Sequence, residues 1–232
     1  MGRKRATTTS IPGMEAEKDP RFVESLARGI EVLRAFRPRD NWLSHRELVS
    51  RTGLPASTVS RLTFTLMSLG YLRHRVDAGE YALSPAVLGL GFAMLSNFDI
   101  GRIARPHMQE LADACQAAVS MGARHDLLMI YVAHCRSGAR LTLGLDVGAR
   151  IPLMSTAMGR AVLCATTASE REGLSKRVEA ADPTAWPAVH ERFEEAQRQF
   201  AEHGFVTSES EWEQGISAAG VALDLGDGRS PL

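Results

Sequence analysis

Apolar residues recur at helical spacing near the start of the chain. The apolar positions lie three or four residues apart, as on one face of a helix; they are Leu26, Ile30, Leu33 and Phe36. Ser25 precedes them and suits an N-cap, because its hydroxyl can accept a hydrogen bond from a free amide of the first turn. The pattern predicts a first amphipathic helix.

A helix-turn-helix pattern follows. Ser44 and Glu47 have capping-box spacing, in which each side chain accepts a hydrogen bond from the other residue's backbone amide at a helix start. Thr52-Gly53 supplies a left-handed turn that ends this helix, and Pro55 suits the first position of the next. We therefore predict two short helices joined by a tight turn.

The second of these helices is predicted to bury one face and expose the other. Its apolar positions recur at helical spacing and are Val59, Leu62, Leu66 and Leu69. The polar positions predicted nearer the exposed face are Ser57, Thr58, Ser60, Arg61 and Thr63. Small hydroxyls beside one arginine leave a helix slim enough for the major groove, where Ser and Thr are versatile partners and Arg suits guanine or phosphate. The pattern indicates a DNA recognition helix; the alternative is chance spacing in an ordinary helical protein.

A hairpin is predicted directly after that helix. Residues 71–75 and 80–83 have strand character and flank a turn at 77–79 that contains glycine. Such a hairpin would be the wing of a winged helix, on which Arg73, His74 or Arg75 would hold phosphates or the minor groove. Arg28 of the first helix is a further candidate DNA contact.

The next segment is apolar nearly all round. A helix is predicted to begin near Pro85, and its apolar residues are Val87, Leu88, Leu90, Phe92 and Leu95. A lone helix with such a surface must be covered by the second domain or by a partner chain, and we favour a dimerising linker helix. Gly89 and Gly91 do not make a dinucleotide-binding fingerprint, because Met94 stands in place of the third glycine and no strand precedes them.

The remainder has mixed helix and strand patterns. Helices are predicted at 106–118, 155–165 and 187–203, the last with an inner stripe of Val189, Phe193, Ala196 and Phe200. Strands are predicted at 118–123, 127–133, 141–145, 205–206 and 216–225.

Charge divides the chain more sharply than its formal net charge of zero suggests. Residues 1–75 contain 14 Lys or Arg against 7 Asp or Glu, and the remainder contains 13 against 20. A basic first part fits an anion-binding domain, since neutralising phosphates supplies most non-specific nucleic-acid affinity; a merely solvated basic face is the alternative.

No apolar run approaches the roughly 18 to 20 residues of a membrane span, and the basic start leads into no hydrophobic signal core. We expect a cytoplasmic protein with no membrane partner.

Motifs for metal binding or catalysis are weak. Cys115, Cys135 and Cys164 are scattered, and we interpret them as reduced core residues. The close pairs of potential metal ligands lack zinc-site spacing; they are His125-Asp126, His134-Cys135 and His190-Glu191. There is no nucleophile elbow or Walker-type loop. The acidic run at 209–213 is predicted to be a solvated loop or pocket rim, so we predict no enzyme, metal or cofactor.

With these motifs laid out, the chain resembles the IclR (isocitrate-lyase-regulator) family of bacterial transcription factors from about Phe22 to Leu225. The matching stretches are SLARGIEVL at 25–33, GLPASTVSRL at 53–62, GEYAL at 79–83, GARIPL at 148–153, TAMGRAVL at 156–163 and EWEQGISA at 211–218. The lead-in DPRFV at 19–23 is most similar to the branch that controls aromatic-acid and β-ketoadipate catabolism.

The resemblance implies an α+β protein in which a winged helix-turn-helix is joined by a linker helix to a GAF-like α/β effector-binding domain. Such proteins act as homodimers or tetramers on double-stranded operator DNA, as repressors or activators. In the family, the effector lies between the segments matching 151–159 and 215–221, often with its carboxylate on backbone amides; a helix N-terminus favours such an anion. The candidate effector residues are Arg150, Ser155, Thr156, Ala157, Met158, Ile216 and Ala218.

The resemblance also suggests domain boundaries. They are a flexible arm at 1–21, a DNA-binding domain at 22–83, a linker helix at 84–99 and an effector domain at 100–232. Family members continue beyond the strand matching 218–225 into a further strand and a closing helix, so we expect this C-terminus to be truncated. The expected function is effector-modulated operator binding by a small carboxylic or aromatic acid; the alternative is a ligand-independent DNA-binding protein with a degenerate sensor domain.

Overall fold

The computed structural model describes residues 19–96, 99–138, 144–225 and 231–232. The predicted arm at 1–21 lies outside the described residues except for its last three, and so do residues 141–143 of the strand predicted at 141–145. The chain divides into two compact units, Met1–Asn97 and Phe98–Leu232.

The first unit combines helices with a small antiparallel sheet. Its elements are α1 (Glu24–Arg34), β1 (Leu43–Ser44), α2 (His45–Thr52), α3 (Ala56–Ser68), β2 (Leu72–Arg75), β3 (Glu80–Leu83) and α4 (Ala86–Ser96). The sheet order is β1-β3-β2, with both pairings antiparallel. Its buried centres are Val32 with Leu66 and Leu72, and Leu43 with Leu48 and Val59.

Local sequence signals set the helix-turn-helix as predicted. The capping box of Ser44 and Glu47 is present at the start of α2, and Gly53 ends α2 with φ +68°. Pro55 is the N-cap of α3 and not its first residue, a shift of one position. The wing is the β2–β3 hairpin, in which Arg75 pairs with Glu80. Strand β1, which pairs with β3, was not predicted.

Three details of the predicted helices were wrong. Helix α1 begins at Glu24 after Val23, so Ser25 lies inside the helix and does not cap it. Val32 is the fully buried residue of α1, whereas Leu26 and Ile30 are exposed. Leu69 is also exposed, because it caps the end of α3 where the helical face no longer points at the core.

The second unit contains two separate antiparallel sheets with helices. Its elements are α5 (Asp99–Cys115), β4 (Val119–His125), β5 (Leu128–Cys135), β6 (Arg150–Pro152), α6 (Ala157–Ala165), α7 (Ala168–Ala181), α8 (Trp186–His203), β7 (Val206–Glu209) and β8 (Ser217–Gly220). One sheet has the order β4-β5-β6, with a register shift between Met121 and Gly122; the other pairs β7 with β8. Helix α5 begins at Asp99 and contains Pro106, which had been predicted to start it.

The core of the second unit lies mainly between its three-stranded sheet and the later helices. The main buried cluster includes Met129 of β5, Leu163 of α6, Leu174 of α7 and Phe193 of α8. The predicted inner stripe of α8 is confirmed, since Phe193 and Ala196 are buried and Val189 and Phe200 pack beside buried residues. Helix α7 was missed, although Thr167, which caps it, precedes Glu170 at capping-box spacing.

The cysteines differ in their surroundings. Cys135 is buried and Cys164 is half-buried, but Cys115 is exposed at the end of α5, so its assignment to a core was wrong. Burial raises the pKa of the Cys164 thiol to about 11, which keeps it protonated at neutral pH. No three His, Cys, Asp or Glu side chains of the described residues cluster as metal ligands would.

Helix lengths bear on membrane insertion. Among the described residues, no single helix is both long enough and apolar enough to cross a bilayer; α4 and α5 meet those criteria only when taken together.

Candidate nucleic-acid interface and effector site

The outward surface of α3 carries four of the nine predicted DNA contacts. Ser57, Ser60 and Arg61 are exposed, and Thr58 is half-buried. They lie one helical turn apart or adjacent, so they share one side of the helix, which we call the α3 outer face. No carboxylate within the described ranges forms an ion pair with Arg61. Its guanidinium is therefore available for a phosphate or a base edge.

Thr63 corrects the prediction for this face. Its side chain is only 1% exposed, and its hydroxyl donates to the carbonyl of Ser60 at 3.0 Å. It follows Val59 by four residues and precedes Leu66 by three, so it belongs to the buried side of α3. Threonine tolerates this position because the backbone carbonyl satisfies its hydroxyl. Thr63 is therefore not a direct DNA contact.

Phe64 is an exposed apolar residue of α3 that was not among the predicted contacts. It lies on α3 four residues after Ser60 and three after Arg61, and its relative exposure is 68%. The apolar content of the helix did not single it out. The spacing from Ser57, which is seven residues, was the signal that could have done so.

The wing brings two arginines onto one aromatic ring. The guanidinium carbon of Arg75 lies 4.4 Å from the centre of the Trp42 ring, and that of Arg73 lies 5.5 Å away. Such cation–π contacts hold flexible side chains in place while leaving their N–H groups able to donate. Arg75 also approaches Glu80 at 3.4 Å, which neutralises part of its charge. Trp42 was not predicted to contribute.

His74 lies on the other side of the wing. Successive residues of a strand point to opposite faces, so His74 is separated from the arginines that flank it. It stacks on Tyr81 of β3 with ring centres 4.6 Å apart. The structure therefore groups Arg73 with Arg75 and separates His74 from them.

Arg28 stands apart from these residues in sequence and contacts. It lies on α1 and forms an exposed ion pair with Glu24, four residues earlier. Pairs of this kind are readily broken in water, so the contact does not prevent Arg28 from meeting a phosphate.

The predicted effector site is built around the first turn of α6. Thr156 is its N-cap: the hydroxyl accepts from the amide of Gly159 at 3.3 Å and donates to the carbonyl of Pro152 at 2.7 Å. This donation uses the only hydroxyl proton of Thr156, so it cannot also donate to a ligand carboxylate. The amides of Ala157 and Met158 have no hydrogen-bond acceptor within the described part of the chain. Ser155 is half-buried beside them.

Two glycines allow strands to approach this turn closely. A Cβ atom at Gly220 of β8 would lie 2.5 Å from the carbonyl oxygen of Ala157 and 2.8 Å from the amide nitrogen of Met158. A Cβ atom at Gly122 of β4 would lie 2.3 Å from the Met158 sulfur. A side chain at Gly220 would force β8 away from α6, whereas one at Gly122 would displace the Met158 side chain. Gly220 and Gly122 therefore determine the walls around the α6 amides, and neither was predicted.

The other predicted effector residues lie on β8, on the loop before it and on β6. The Ile216 amide donates to Glu213 and its carbonyl accepts from Ser210, so its backbone is already used in a loop. Ala218 is exposed on β8 opposite Ser208, and Arg150 is exposed on the edge strand β6. Ile216 therefore stays a prediction as pocket backbone, and its amide proton is already donated within this loop.

A buried polar network lies on strands β4 and β5. The Nδ1 atom of His134 is 2.8 Å from the Ser120 hydroxyl, and Arg136 donates through Nε to Nε2 of His134 at 2.9 Å. Because Nε2 accepts, the imidazole is neutral and Nδ1 donates. Burial, and then the charge of Arg136, lower the pKa of His134. Tyr131 stacks on His134 with ring centres 5.8 Å apart.

Arg160 and Glu211 form a second buried pair. The Arg160 side chain is 3% exposed, donates to both carboxylate oxygens of Glu211 at 3.0 and 2.7 Å, and donates through Nε to the Met154 carbonyl at 2.9 Å. Burial alone would raise the pKa of Glu211, but hydrogen bonds and charge attraction from Arg160 outweigh it and lower that pKa. The pair joins α6 to the loop before β8. Of the two alternatives predicted for the acidic run, Glu211 fits a pocket rim, because it lines the groove described below.

A polar groove adjoins this pair. Its volume is about 460 Å³, and its lining includes Arg160, Arg192, Gln199, His203 and Glu211. None of the residues from Ser155 to Met158 lines it. The groove is therefore separate from the free amides of α6.

Comparison with known proteins agrees with this two-part organisation. Residues 25–75 match the IclR helix-turn-helix domain, and residues 92–224 match the bacterial transcriptional regulator IclR C-terminal domain. The chain is 34% identical to the HTH-type transcriptional regulator TsaQ1/TsaQ2 of Comamonas testosteroni, over 94% of this chain and 79% of that protein. It is 32% identical to the Pca regulon regulatory protein of Pseudomonas putida, over 88% of this chain and 70% of that protein.

Solved structures show the same fold. An IclR family transcriptional regulator from Brucella abortus has 40% sequence identity and a TM-score of 0.81, covering 92% of this chain and 81% of its own. An IclR homolog from Microbacterium hydrocarbonoxydans, complexed with 4-hydroxybenzoate, has 18% identity and a TM-score of 0.67, covering 89% and 85%. With a helix-turn-helix domain followed by this C-terminal domain, the chain belongs to the IclR family of bacterial transcriptional regulators.

Proposed function

We propose that this regulator binds operator DNA as a dimer and that a small carboxylic acid, probed first as an aromatic acid, changes its affinity for the operator. In this proposal residues 22–83 are the DNA-binding domain, 84–99 the linker helix and 100–232 the effector domain. The α3 outer face enters the major groove, and Arg73 and Arg75 of the wing contact phosphates or the minor groove.

The effector part depends on one observation above all. Ala157 and Met158 have amides without acceptors among the described residues, at the positive end of the α6 dipole. A carboxylate would satisfy both amides. Helix N-termini bind such anions without a basic side chain.

The aromatic character of the acid rests on similarity. The neighbour from Microbacterium hydrocarbonoxydans is complexed with 4-hydroxybenzoate. That likeness in fold supplies the first compound to test on this chain. Met158 and Gly122, which lie against each other beside the free amides, would offer a flat ring an apolar wall.

Titration calorimetry with 4-hydroxybenzoate tests this proposal. We expect heat of binding to the full chain, and a change in affinity for an operator duplex selected from a randomised pool. Ala157→Pro removes one of the two free amide protons. Proline is tolerated at this first-turn position because Thr156 before it is extended (ψ 150°). The substitution should weaken the binding of 4-hydroxybenzoate at least several-fold.

Ala168→Pro controls for the backbone change, because it replaces the first residue of α7 after the extended Thr167, although Ala168 is exposed and Ala157 is buried. It should leave acid binding intact, and thermal unfolding of both variants checks the fold. If no heat is seen with aromatic or short carboxylic acids and operator affinity does not change, the sensor function is lost and ligand-independent DNA binding is the better description.

Dimerisation is assigned to α4. None of its residues is buried within the chain, and Leu88, Leu90, Phe92 and Met94 are all exposed. An apolar surface of this kind is typical of a covered interface, and a second copy would cover it symmetrically.

Charge substitution on α4 should therefore dissociate the dimer. Leu88→Glu with Phe92→Glu should convert the dimer to a monomer in sedimentation velocity at micromolar concentration, because two carboxylates cannot be buried in an apolar interface. Val76→Glu, on the exposed wing turn, is the control and should leave the sedimentation coefficient unchanged. A doubly substituted protein that remains dimeric would contradict the assignment.

The effector can change operator affinity only if both the effector and the operator bind one of two conformations of the protein with a different affinity from the other. The linker helix is the covalent connection between the two domains, so we assign this coupling to it.

A further inference from the structure

Phe64 has a surface position that ordinary packing does not explain. Its ring lies on α3 among side chains that are polar or small, and 68% of it is exposed. Helix α3 contains no Asp or Glu, so nothing in its own sequence repels an anionic duplex. Exposing a phenyl ring to water is unfavourable, and binding a partner would remove that cost.

The position of Phe64 along the helix fits base reading. Ser57, Ser60, Arg61 and Phe64 have the spacing i, i+3, i+4 and i+7, which recognition helices use to contact successive bases. With a rise of about 1.5 Å per residue, Phe64 lies about 4.5 Å along the axis from Arg61. That distance is close to the roughly 3.4 Å between successive bases of one strand. Phe64 would thus stand about one base pair away from the base that Arg61 contacts.

The residues next to Phe64 use their hydroxyl groups within the helix, so Phe64 is the apolar contact that the α3 outer face offers. The Thr65 hydroxyl donates to the Arg61 carbonyl and the Ser68 hydroxyl donates to the Phe64 carbonyl, both at 3.0 Å. Their hydroxyl protons are therefore directed back to the helix. The ring projects from a surface whose other members, apart from Arg61, are short.

Only one group in the major groove offers a phenyl ring a purely apolar contact. Adenine, guanine and cytosine present donors and acceptors there, whereas thymine adds a C5-methyl group. We infer that Phe64 is a specificity-determining residue that packs against the C5-methyl of a thymine next to the base read by Arg61. The inference depends on the proposed insertion of α3 into the major groove, and it adds a base preference to it.

Replacement of thymine by deoxyuridine tests the contact directly, because it removes the methyl group and keeps every hydrogen-bonding atom. The operator is first selected from a randomised duplex pool with the full-length protein. Each thymine of one half-site, and its symmetry mate, is then replaced in turn. Fluorescence anisotropy at one fixed salt concentration measures affinity.

For the wild-type protein we expect one thymine position at which replacement weakens binding about fourfold per half-site, as for one buried methyl group. Phe64→Ala should weaken binding to the thymine operator by at least that factor. It should bind the thymine and deoxyuridine operators equally. Phe64→Leu should retain part of the discrimination, and Arg61→Ala should retain all of it while binding more weakly.

Two results would overturn the inference. One is a wild-type protein that is insensitive to deoxyuridine at every position; the other is a Phe64→Ala variant that keeps the wild-type discrimination. If either occurs while Arg61→Ala still loses specific binding, α3 reads DNA without Phe64 and only the inference fails. If Arg61→Ala binds as the wild type does, the proposed insertion of α3 fails. If Phe64 instead contacts a second copy of the chain, Phe64→Ala should change the oligomeric state measured by sedimentation velocity.

Discussion

Replacing Arg160 by methionine is expected to lower the free energy of unfolding of the second unit by about 3–5 kcal/mol, the usual cost of removing one partner from a buried ion pair. The guanidinium supplies both hydrogen bonds that hold the Glu211 carboxylate and a third to the Met154 carbonyl. Without it, the part-buried Glu211 carboxylate keeps only its interactions with Arg192 and Ser208, or takes up a proton. Denaturant unfolding followed by tryptophan fluorescence measures the change, since Trp186 and Trp212 both pack against the core of this unit.

The companion variants separate the pair from simple loss of packing. Arg160→Met combined with Glu211→Leu should recover a large part of the lost stability, because no charge is left unpaired. Lys176→Met disrupts the exposed pair with Glu172 and should leave stability unchanged within error. If Arg160→Met is as stable as the wild type, or the double variant is no better than the single one, the pair does not hold the loop before β8 to α6.

The same pair predicts a dependence on pH. The folded-state pKa of Glu211 lies below its ordinary value of 4.5, so its contribution is fully present above that value. The contribution is lost as pH falls from 4.5 through the lower folded-state pKa, where the folded carboxylate takes up its proton. Arg160→Met should therefore show a weaker loss of stability over this acid range than the wild type.

Features encoded by neighbouring residues were predictable. The Ser44–Glu47 capping box, the left-handed Gly53 and the wing turn each depend on a few adjacent residues, and each occurs where the sequence predicted it. Local hydrogen bonds and backbone conformations set these elements, so a single sequence contains the required information.

Features that depend on helix phase or on distant residues were not predictable in the same way. Thr63 was predicted on the exposed face of α3 and is buried, whereas the exposed Phe64 was not predicted there. Polarity was taken as a guide to the surface, but the register of α3 against its core decides which side chains are exposed. Arg160 and Glu211 are 51 residues apart, and Gly220 meets α6 through the pairing of β7 with β8. Nothing in local spacing signals such contacts; only the folded topology brings them together.

Replacing Arg61 by alanine is expected to cost about 1–3 kcal/mol in specific operator binding, or about 5- to 150-fold in affinity. Arg61 is exposed on the α3 outer face and has no carboxylate partner in the part of the chain that the structure describes, so no competing ion pair must be broken when DNA binds. Because a base contact discriminates among sequences, Arg61→Ala should lose much less affinity for unrelated duplexes. Footprinting on the selected operator and anisotropy on both kinds of duplex measure the difference.

Arg73 gives the contrasting behaviour. Its guanidinium lies over Trp42 on the wing, and a phosphate contact there would carry no sequence information. Arg73→Ala should therefore weaken operator and unrelated duplexes alike, and it should reduce the slope of log affinity against log salt by about one per wing. Lys176→Ala, on exposed α7, should change neither affinity nor slope. Only a contact with base edges can distinguish one sequence from another at equal charge. An unchanged footprint with Arg61→Ala, or a sequence-dependent loss of affinity with Arg73→Ala, would therefore contradict the roles assigned to α3 and the wing.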